Sequence, residues 1–460
     1  MMGRLVRFHI IGLILLGVLL VGCGLMAGPQ RPVIPTPIPT APPLSETLAL
    51  SAETVVDPVS DVVPQVDPAI QGLLDLVSQQ QLTAYVQTLE NFYTRNSFSN
   101  AESETRGIGA ARRWIFSEFE RVGNGRIHVE FDDFDLTYAG FSAPQRNVVA
   151  TLPGSGPGNG VIIIMAHYDN RPTEIADGFT RATGADDNAS GVALLIESAR
   201  VLSAYNWNQT IKFVAMAAEE QGTVGSRHFA QTAFLDNMNV LAAINYDAVG
   251  GRAGIPQYVR LFSPDLLTSP SGELARYYEY IGGLYLPTFP VLVYDALDRE
   301  GRWGDHREFV NVGMPSIRII ESEEDPDLLN SNLDTWSLVD YNYLQHVVQL
   351  NVAVVANMAG APATPPAPTI ADMAEPGSFL LTWAVDPAVA GYAIAFRPLD
   401  SPSYPTFRFV KGLSAGNVAL TNLEVGTTYA VSMTALDEYG RVGDFSPEVI
   451  IGPGTQVSMP

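Results

Sequence analysis

Two adjacent carboxylates end an apolar run near the middle of the sequence. The stretch FVAMAAEEQG, residues 213–222, passes from small and apolar side chains directly to Glu219 and Glu220. Burying an unpaired carboxylate is costly in free energy, and a second one beside it raises that cost. A bound cation would offset the burial of one glutamate, and the other could accept a proton. Taken alone, such a pair is more often two solvated glutamates at a strand end.

Three other segments also place acids or a histidine beside apolar runs. The residues are His167 and Asp169 after residues 161–166, Asp186 and Asp187 in the loop GADDNASG, and Asp247 after residues 240–246. Ligand sites in open α/β sheets form at the carboxyl ends of the strands, so four segments can deliver these side chains to one edge. Carboxylates together with imidazole suit zinc or a similar divalent ion. The sequence therefore predicts a metal site.

The elements that must position these residues alternate between strands and helices. Short β-branched runs are typical of strands buried on both faces, and other segments have the helical spacing of apolar residues. The predicted strands are residues 126–134, 146–152, 161–166, 211–218, 240–246 and 316–320, and the predicted helices lie within residues 69–95, 106–122, 190–203 and 341–358. This order predicts a three-layer α/β/α domain with a mostly parallel central sheet over residues 67–360.

Five segments together resemble a known family. They are MAHYDN (165–170), GADDNASGVALLIE (184–197), AAEEQGTVGS (217–226), INYDAVG (244–250) and GDHREFVNVGMPS (304–316). Their order and spacing resemble the co-catalytic zinc exopeptidases, a family that includes secreted bacterial leucine aminopeptidases, glutamate carboxypeptidases and glutaminyl cyclases. The resemblance covers roughly residues 75–358.

The resemblance implies a peptide substrate and two zinc ions. The ligands that it implies are His167, Asp187, Glu220 and Asp247, with Asp187 bridging the two ions. It also implies a cis peptide bond after Asp187. Glu220 would bind the second ion, and Asp247 would complete the protein ligands of the first.

The resemblance also implies roles for residues that do not bind metal. Glu219 would be the general base, which takes a proton from the attacking water and passes it to the leaving amine. Asp169 would hold the His167 imidazole in one tautomer. Asp305 and His306 would lie near the substrate.

One expected ligand is replaced in this sequence. The family normally supplies a histidine four residues before an Asp-Thr pair, and in LLNSNLDTWS (328–337) that position is Asn330. Asparagine offers a carbonyl oxygen, which is a weaker zinc ligand than imidazole. Three possibilities remain open: Asn330 is a weak ligand, only one zinc binds tightly, or His306 or another group substitutes.

The amino-terminal segment resembles a lipoprotein signal peptide. Arg4 and Arg7 precede an apolar run, residues 10–21, that is short for a transmembrane helix. The stretch LVGC, ending at Cys23, resembles a bacterial lipobox, which implies cleavage before Cys23 and lipidation of its thiol. An ordinary signal peptide or an uncleaved anchor is the alternative. Residues 1–22 would then be the signal peptide of a protein held in the bacterial cell envelope.

Two Pro-rich segments predict linkers. Residues 23–66 include GPQRPVIPTPIPTAPP, and residues 361–368 read APATPPAP. Residues 369–460 contain short alternating strands, FLLTW, YAIAFR and TTYAVSMTAL, separated by turn signals. This last region resembles a fibronectin type III module, with Trp383 and Tyr429 at its expected positions, and predicts a small all-β sandwich.

Composition limits the possible partners. The chain has 460 residues, of which 47% are hydrophobic, and a formal net charge of -23. A chain with this charge repels nucleic acid and anionic membrane surfaces, so we expect no nucleic-acid partner.

The predicted function is that of an exported, lipid-anchored zinc aminopeptidase, which releases N-terminal residues from peptides. A carboxypeptidase or dipeptidase of the same fold is an alternative, in which Arg302 or Arg307 would bind a terminal carboxylate. A glutaminyl cyclase is less favoured because its reaction needs a deep closed pocket. The remaining alternative is a catalytically inactive surface binding protein. We interpret residues 170–183 and 251–303 as the loops that set side-chain preference.

Overall fold

The computed structural model describes residues 48–51, 65–155, 160–401, 407–411 and 416–452. Cys23 and the rest of the predicted signal peptide lie outside these ranges, as does the Pro-rich stretch at residues 28–43. None of the helices in the described ranges is both long and apolar enough to cross a lipid bilayer.

Strands and helices alternate along most of the described chain. The strands are β1 (Leu48–Ser51), β2 (His128–Tyr138), β3 (Phe141–Leu152), β4 (Val161–His167), β5 (Thr210–Met216), β6 (Val240–Tyr246), β7 (Val259–Ser263), β8 (Val291–Asp295), β9 (Ser316–Glu321), β10 (Thr369–Asp372), β11 (Phe379–Thr382), β12 (Gly391–Pro398), β13 (Phe407–Lys411), β14 (Asn417–Thr421), β15 (Tyr429–Leu436) and β16 (Val449–Ile451). The helices are α1 (Pro68–Leu74), α2 (Gln79–Glu90), α3 (Gly107–Gly123), α4 (Gly191–Leu202), α5 (Val224–Leu235), α6 (Pro270–Tyr285), α7 (His306–Asn311) and α8 (Tyr341–Gly360). An irregular helical turn, Ala185–Ser190, leads directly into α4.

An eight-stranded sheet forms the centre of the larger part of the molecule. Its strand order is β2-β3-β5-β4-β6-β9-β7-β8. The four central strands β5, β4, β6 and β9 are parallel to one another. The β2–β3 hairpin is antiparallel to β5 at one side, and the parallel pair β7–β8 joins β9 in antiparallel orientation at the other.

Successive side chains of the central strands enter two different apolar layers. In β4, Ile162 and Ile164 belong to a core shared with α4 and α8, whereas Ile163 and Met165 belong to a core formed with α5 and α7. Helices α1, α2, α3 and α6 contribute to the first layer. Burial on both faces is what the uninterrupted apolar runs indicated, and the predicted three-layer fold with a mostly parallel sheet is confirmed.

The register of the central strands aligns their carboxyl ends. His167, the last residue of β4, pairs with Met216, the last residue of β5, and Met165 pairs with Asn245 near the end of β6. The segments that follow these three strands therefore leave the sheet at the same edge, where ligand sites of open α/β sheets form.

The segment 251–303, interpreted from the sequence as loop, contains β7, α6 and β8. Helix α6 begins with a standard signal: Pro270 is its first residue, and the Ser269 side chain accepts a hydrogen bond from Gly272 N at 2.9 Å. The two short strands extend the sheet beyond β9, and α6 packs on them. The Ser-Pro pair was the available sequence signal for the helix.

The carboxyl-terminal strands form two small packed sheets. Their orders are β1-β14-β11-β10 and β13-β12-β15-β16, and between them lies an apolar core that includes Leu381, Ile394 and Val431. Strand β1 comes from the segment 23–66, predicted as linker, and pairs in parallel with β14. That segment therefore contributes one strand, which covers what would otherwise be an exposed sheet edge.

A buried arginine fastens the loops beside the carboxyl ends of the strands. Arg95 is 1% exposed and donates four hydrogen bonds to backbone carbonyls. The acceptors are Leu89 O at 3.1 Å, Tyr168 O at 2.8 Å, Thr183 O at 2.8 Å and Gly184 O at 2.7 Å. Burial lowers the pKa of Arg95 to about 10, so the guanidinium remains charged at neutral pH.

Replacing Arg95 with methionine should destabilise the fold strongly. The substitution leaves buried carbonyls without a donor, each at a cost of about 1–3 kcal/mol, so we expect the free energy of unfolding to fall by at least about 3 kcal/mol. The measurement is urea unfolding of the full chain, followed by tryptophan fluorescence. The control is Arg106→Met, because Arg106 is exposed and lies over the Tyr93 ring at 4.2 Å, a contact worth about 0.5–1 kcal/mol. Equal unfolding midpoints for the two variants would show that Arg95 does not hold these loops.

Candidate metal centre

Three side chains converge at the shared edge of β4, β5 and β6. His167 ends β4, Asp247 directly follows β6, and Asp187 lies in the turn before α4. His167 Nε2 is 3.2 Å from Asp187 Oδ1 and 3.3 Å from Asp247 Oδ1. One ligand atom of each residue lies within 4.8 Å of the others. One imidazole nitrogen and two carboxylate oxygens at this separation suit a divalent cation such as zinc.

The backbone of Asp169 fixes the orientation of His167. His167 Nδ1 lies 3.0 Å from Asp169 O, so Nδ1 carries the proton and the Nε2 lone pair faces Asp187 and Asp247. The Asp169 carboxylate, expected to hold the imidazole, is farther from Nδ1, at 3.7 Å. It accepts instead from Glu219 N at 3.1 Å and Glu220 N at 3.2 Å, and it thereby links the ends of β4 and β5.

The surroundings of His167 favour positive charge at this position. Burial disfavours the imidazolium, but Asp247, Asp169 and Asp187 outweigh it and raise the pKa of His167 well above its usual value. A bound cation would satisfy the same carboxylates and leave the imidazole neutral, as a metal ligand must be. The donor set therefore fits a metal ion.

Asp334 holds the turn that carries Asp187. Its two carboxylate oxygens accept from Asp186 N at 2.8 Å and from Asp187 N at 3.0 Å. The Asp187–Asn188 peptide bond is cis, as the resemblance implied, and Asn188 Nδ2 donates to Tyr246 O at 2.9 Å. The Asp187 side chain is thus directed from a turn fixed on both sides, while the Asp186 carboxylate accepts from Gly250 N at 2.7 Å.

Arg318 orients Asp247 and was not found by the sequence analysis. Arg318 lies on β9 beside Asn245 of β6, and its Nη2 is 2.9 Å from Asp247 Oδ2. The other oxygen, Oδ1, is left facing His167. Burial acts to raise the pKa of Asp247, but Arg318 and His167 hold it well below its usual range. A single arginine inside the apolar strand SIRIIE was the available signal.

Glu219 and Glu220 have different surroundings. Glu219 lines the cavity, and in the described part of the chain its carboxylate forms no ion pair with an arginine or lysine. Burial, followed by the charges of Asp247, Asp305 and Glu220, raises the pKa of Glu219 well above its usual value. A carboxylate whose surroundings favour its protonated form in this way is suited to accept a proton.

The Glu220 carboxylate binds two side chains, Arg171 and Asn330. Arg171 Nε lies 2.6 Å from Glu220 Oε2. With its amide oxygen facing Arg171, Asn330 accepts from Arg171 Nη2 at 3.0 Å and donates to Glu220 Oε1 at 3.1 Å. The structure thus brings the predicted residues Glu220 and Asn330 together, with an arginine between them that the sequence analysis missed. Burial and the charge of Asp187 act to raise the pKa of Glu220, and the Arg171 guanidinium opposes them by favouring the carboxylate form.

Asp305 and His306 lie behind the site and do not line the cavity within the described chain. Both are fully buried, and His306 Nε2 donates to Leu297 O at 2.6 Å. Burial lowers the pKa of His306 to about 4 and raises that of Asp305 to about 7. Neither side chain is placed to contact a substrate in the cavity, which is the role the resemblance implied for them.

A cavity of about 430 Å³ opens over these groups. Its lining residues are His167, Arg171, Ile175, Asp187, Glu219, Glu220, Gly222, Thr223, Asp247, Ala248, Arg299, Gly301, Arg302, Trp303, Arg318, Glu324 and Asn330. The volume suits a small group such as one or two amino-acid residues, and the lining combines charged side chains with the apolar surfaces of Ile175 and Trp303.

Known proteins resemble this chain in sequence and in fold. Residues 147–355 match peptidase family M28. A probable zinc metalloprotease of Pyricularia oryzae is 31% identical over 466 residues, which cover 90% of this chain and 92% of the relative. The LapA aminopeptidase of Legionella pneumophila superposes with a TM-score of 0.53 at 21% identity, over 65% of this chain and 77% of that chain. An aminopeptidase from Aneurinibacillus sp. strain AM-1 has a TM-score of 0.51 at 16% identity, over 64% and 97% of the two chains.

The two solved structures, at this level of identity, show a common fold. The family match and the relative that aligns along nearly the whole chain go further, and they agree with the donor set of His167, Asp187 and Asp247. This chain therefore belongs to peptidase family M28 and is a zinc-dependent metallopeptidase.

Proposed function

We propose that the protein is an aminopeptidase. The observation that carries the proposal is that a cavity of about 430 Å³, which suits one or two amino-acid residues, opens over Glu219 and the metal donor set of His167, Asp187 and Asp247. A cavity of this size directly over the reacting groups suits removal of a terminal residue rather than cleavage within a long chain. The LapA and Aneurinibacillus proteins, which share the fold, are aminopeptidases, and this supports the same reading.

The residues of the cavity have separate roles in peptide hydrolysis. His167, Asp187 and Asp247 would hold zinc, which supplies Lewis-acid polarisation of the scissile carbonyl and activation of water. Glu219 takes a proton from the attacking water and gives it to the leaving amine. Ile175 and Trp303 offer apolar surface to the side chain of the residue being released. The Asp169 carboxylate accepts from the backbone N–H groups of residues 219 and 220 and so keeps the base beside the metal ligands.

Replacing Glu219 with glutamine should reduce kcat by about 10²–10⁴-fold, because the amide cannot accept the proton of the attacking water. Zinc content should stay at the wild-type value, since Glu219 is not among the proposed ligands. The measurements are peptide turnover and elemental analysis of the same preparation. Glu174→Gln is the control, since Glu174 is an exposed glutamate near the cavity, and it should retain activity. Full activity of the Glu219 variant would refute its assignment as the base.

A peptide panel separates the aminopeptidase from its alternatives. We expect cleavage of peptides with a free amino terminus, no cleavage of N-acetylated peptides, and loss of activity in a chelator. The panel should include C-terminal amides and a peptide beginning with glutamine, which reports any cyclase reaction as ammonia release. No turnover of any member with zinc supplied would favour a binding protein.

Arg302 favours a carboxypeptidase as the second candidate. Its side chain is 53% exposed, lines the cavity, and lies 3.7 Å from Glu324, so donors remain for a terminal carboxylate. Arg307 is less available, because it pairs with Glu308 at 2.7 Å and stacks on Trp303. In the peptide panel, cleavage that is unaffected by N-acetylation but abolished by C-terminal amidation would support this candidate. The Arg302→Met substitution would then raise the KM for peptides with a free carboxyl terminus.

We propose that the protein is exported and attached to a membrane through a lipid on Cys23. The support is the sequence pattern of residues 1–23 alone, since these residues lie outside the described ranges, and the fungal relative lends it no support.

Cys23→Ala should therefore abolish incorporation of labelled fatty acid and move the protein from the membrane fraction to the soluble fraction. The readouts are labelling and fractionation in a bacterial host. Ser45→Ala, in the following segment, is the control and should remain in the membrane fraction. Unchanged labelling of the Cys23 variant would refute the anchor.

We propose that the carboxyl-terminal sandwich is a fibronectin type III-like module that acts as a spacer or adhesive unit. Strands β10, β11 and β14 lie in one sheet and β13, β12, β15 and β16 in the other, an arrangement that agrees with such modules. The Tyr429 hydroxyl accepts from Glu424 N at 3.1 Å, a corner typical of this type of sandwich, and Trp383 packs on Tyr392.

A further inference from the structure

The region expected to hold a second metal ion contains an arginine. The resemblance places that ion among Asp187, Glu220 and the residue at position 330. In the structure, Arg171 bridges Glu220 and Asn330 through its Nε and Nη2 atoms. We propose that this peptidase binds a single zinc ion, through His167, Asp187 and Asp247, and that the Arg171 guanidinium serves as the second cation. The proposal rests on the zinc peptidase assignment and is independent of aminopeptidase specificity.

The donor atoms at this position are already engaged. Glu220 Oε2 accepts from Arg171 at 2.6 Å, and Glu220 Oε1 accepts from the Asn330 amide at 3.1 Å. The Asn330 oxygen, its only atom that could ligate zinc, accepts from Arg171 Nη2 at 3.0 Å. A metal ion here would have to displace the guanidinium. In return it would bind an amide oxygen, which is a weaker zinc ligand than the imidazole that the resemblance implies at this position.

Arg171 is held in place by its backbone as well as by its ion pair. The preceding residue, Asn170, accepts from Arg95 N at 2.7 Å and donates to Ala182 O at 3.0 Å, so the chain is anchored directly after β4. The side chains of Arg171 and Glu220 are 21% and 9% exposed. A charged contact that is partly withdrawn from water, attached to a fixed backbone and supported by a second N–H bond to Asn330 is stronger than a surface ion pair.

A guanidinium in place of the second metal ion changes what this part of the site can contribute to catalysis. A guanidinium carries one positive charge that is permanent at any working pH, and it offers N–H donors to an oxygen on which negative charge develops. It cannot act as a Lewis acid or be removed by a chelator. The metal chemistry of this chain would therefore depend on the His167 site alone, with Arg171 supplying electrostatic stabilisation from the cavity wall.

Metal stoichiometry tests the proposal directly. The full chain, purified in detergent, is stripped with a chelator, titrated with zinc and analysed for bound zinc and protein. We expect one tightly bound zinc per chain, with activity fully restored at one equivalent. Two zinc ions bound with comparable affinity, or none, would overturn the proposal. A single bound zinc without cleavage of any peptide would refute the proposed function and leave the present proposal intact.

Substitutions at the second position sharpen the test. Asn330→His alone should leave the stoichiometry at one, because Arg171 still occupies Glu220. Arg171→Ala combined with Asn330→His should create a second site that binds zinc at least tenfold more tightly than any additional binding by the unsubstituted chain. Arg181→Ala is the matched control, since Arg181 lies in the same loop, is 49% exposed and pairs with Glu90. A second tight zinc in the Asn330→His variant alone would contradict the role given to Arg171.

Cobalt substitution gives a second readout that does not depend on activity. Two cobalt ions bridged by Asp187 would couple magnetically, whereas one ion gives an uncoupled electron paramagnetic resonance signal. We expect the uncoupled signal for the unsubstituted chain and coupling for the double variant. Coupling in the unsubstituted chain would overturn the proposal even if the double variant did not fold.

Discussion

Buried carboxylates crowd the shared edge of β4, β5 and β6, and the rest of the site depends on how their charge is balanced. A carboxylate withdrawn from water must find a cation or hydrogen-bond donors, or else take up a proton. Three arginines from three parts of the chain supply fixed charge here. Arg318 holds one face of Asp247, Arg171 holds Glu220, and Arg95, although its bonds go to carbonyls, lies close enough to influence Asp169 and Asp187.

The carboxylate oxygens that these arginines do not pair with define where the metal ion binds and where a proton is transferred. Asp187, the free oxygen of Asp247 and His167 surround one point at which positive charge is favoured, and that point is the zinc site. Glu219 is left without a cation and can exchange a proton. The two adjacent glutamates therefore differ in their partners. The charge of Glu220 is balanced by Arg171, whereas Glu219 remains available to accept a proton. The backbone N–H groups of both donate to Asp169, so one carboxylate fixes the position of the pair.

The sequence was sufficient to predict those strands and site residues that depend on a single local pattern. Strand β6 has the predicted bounds and β4 differs by one residue, because strands buried on both faces need unbroken apolar runs. The convergence of His167, Asp187 and Asp247 followed from the rule that parallel strands end at one edge. Strands β7 and β8 were not predicted, because short strands at the side of a sheet are stabilised mainly by pairing with a distant partner. Strand β1 was missed for the same reason.

The arginines of the site could not be predicted for a related reason. Arg171 is separated from Glu220 by 49 residues, and nothing in the sequence around either one indicates that they meet. The asparagine at position 330, where the resemblance implies a histidine ligand, shows only that the expected ligand is replaced. The second metal ion could be lost, bound more weakly, or replaced by another cation. Which of these happens depends on the side chains that the fold brings close to residue 330, and the sequence does not show which side chains these are.

Asparagine at position 330, where the resemblance implies a histidine, is physically coherent once Arg171 is taken into account. An imidazole at position 330 would be a poor neighbour for a guanidinium when protonated, whereas an amide presents an oxygen to Arg171 and an N–H group to Glu220 at once. The asparagine thus completes a closed set of hydrogen bonds in which each group has a partner of the right kind. Such a set stabilises the loop after β4 without any metal, and it leaves the binding of the single zinc to residues that a fixed framework already holds in place.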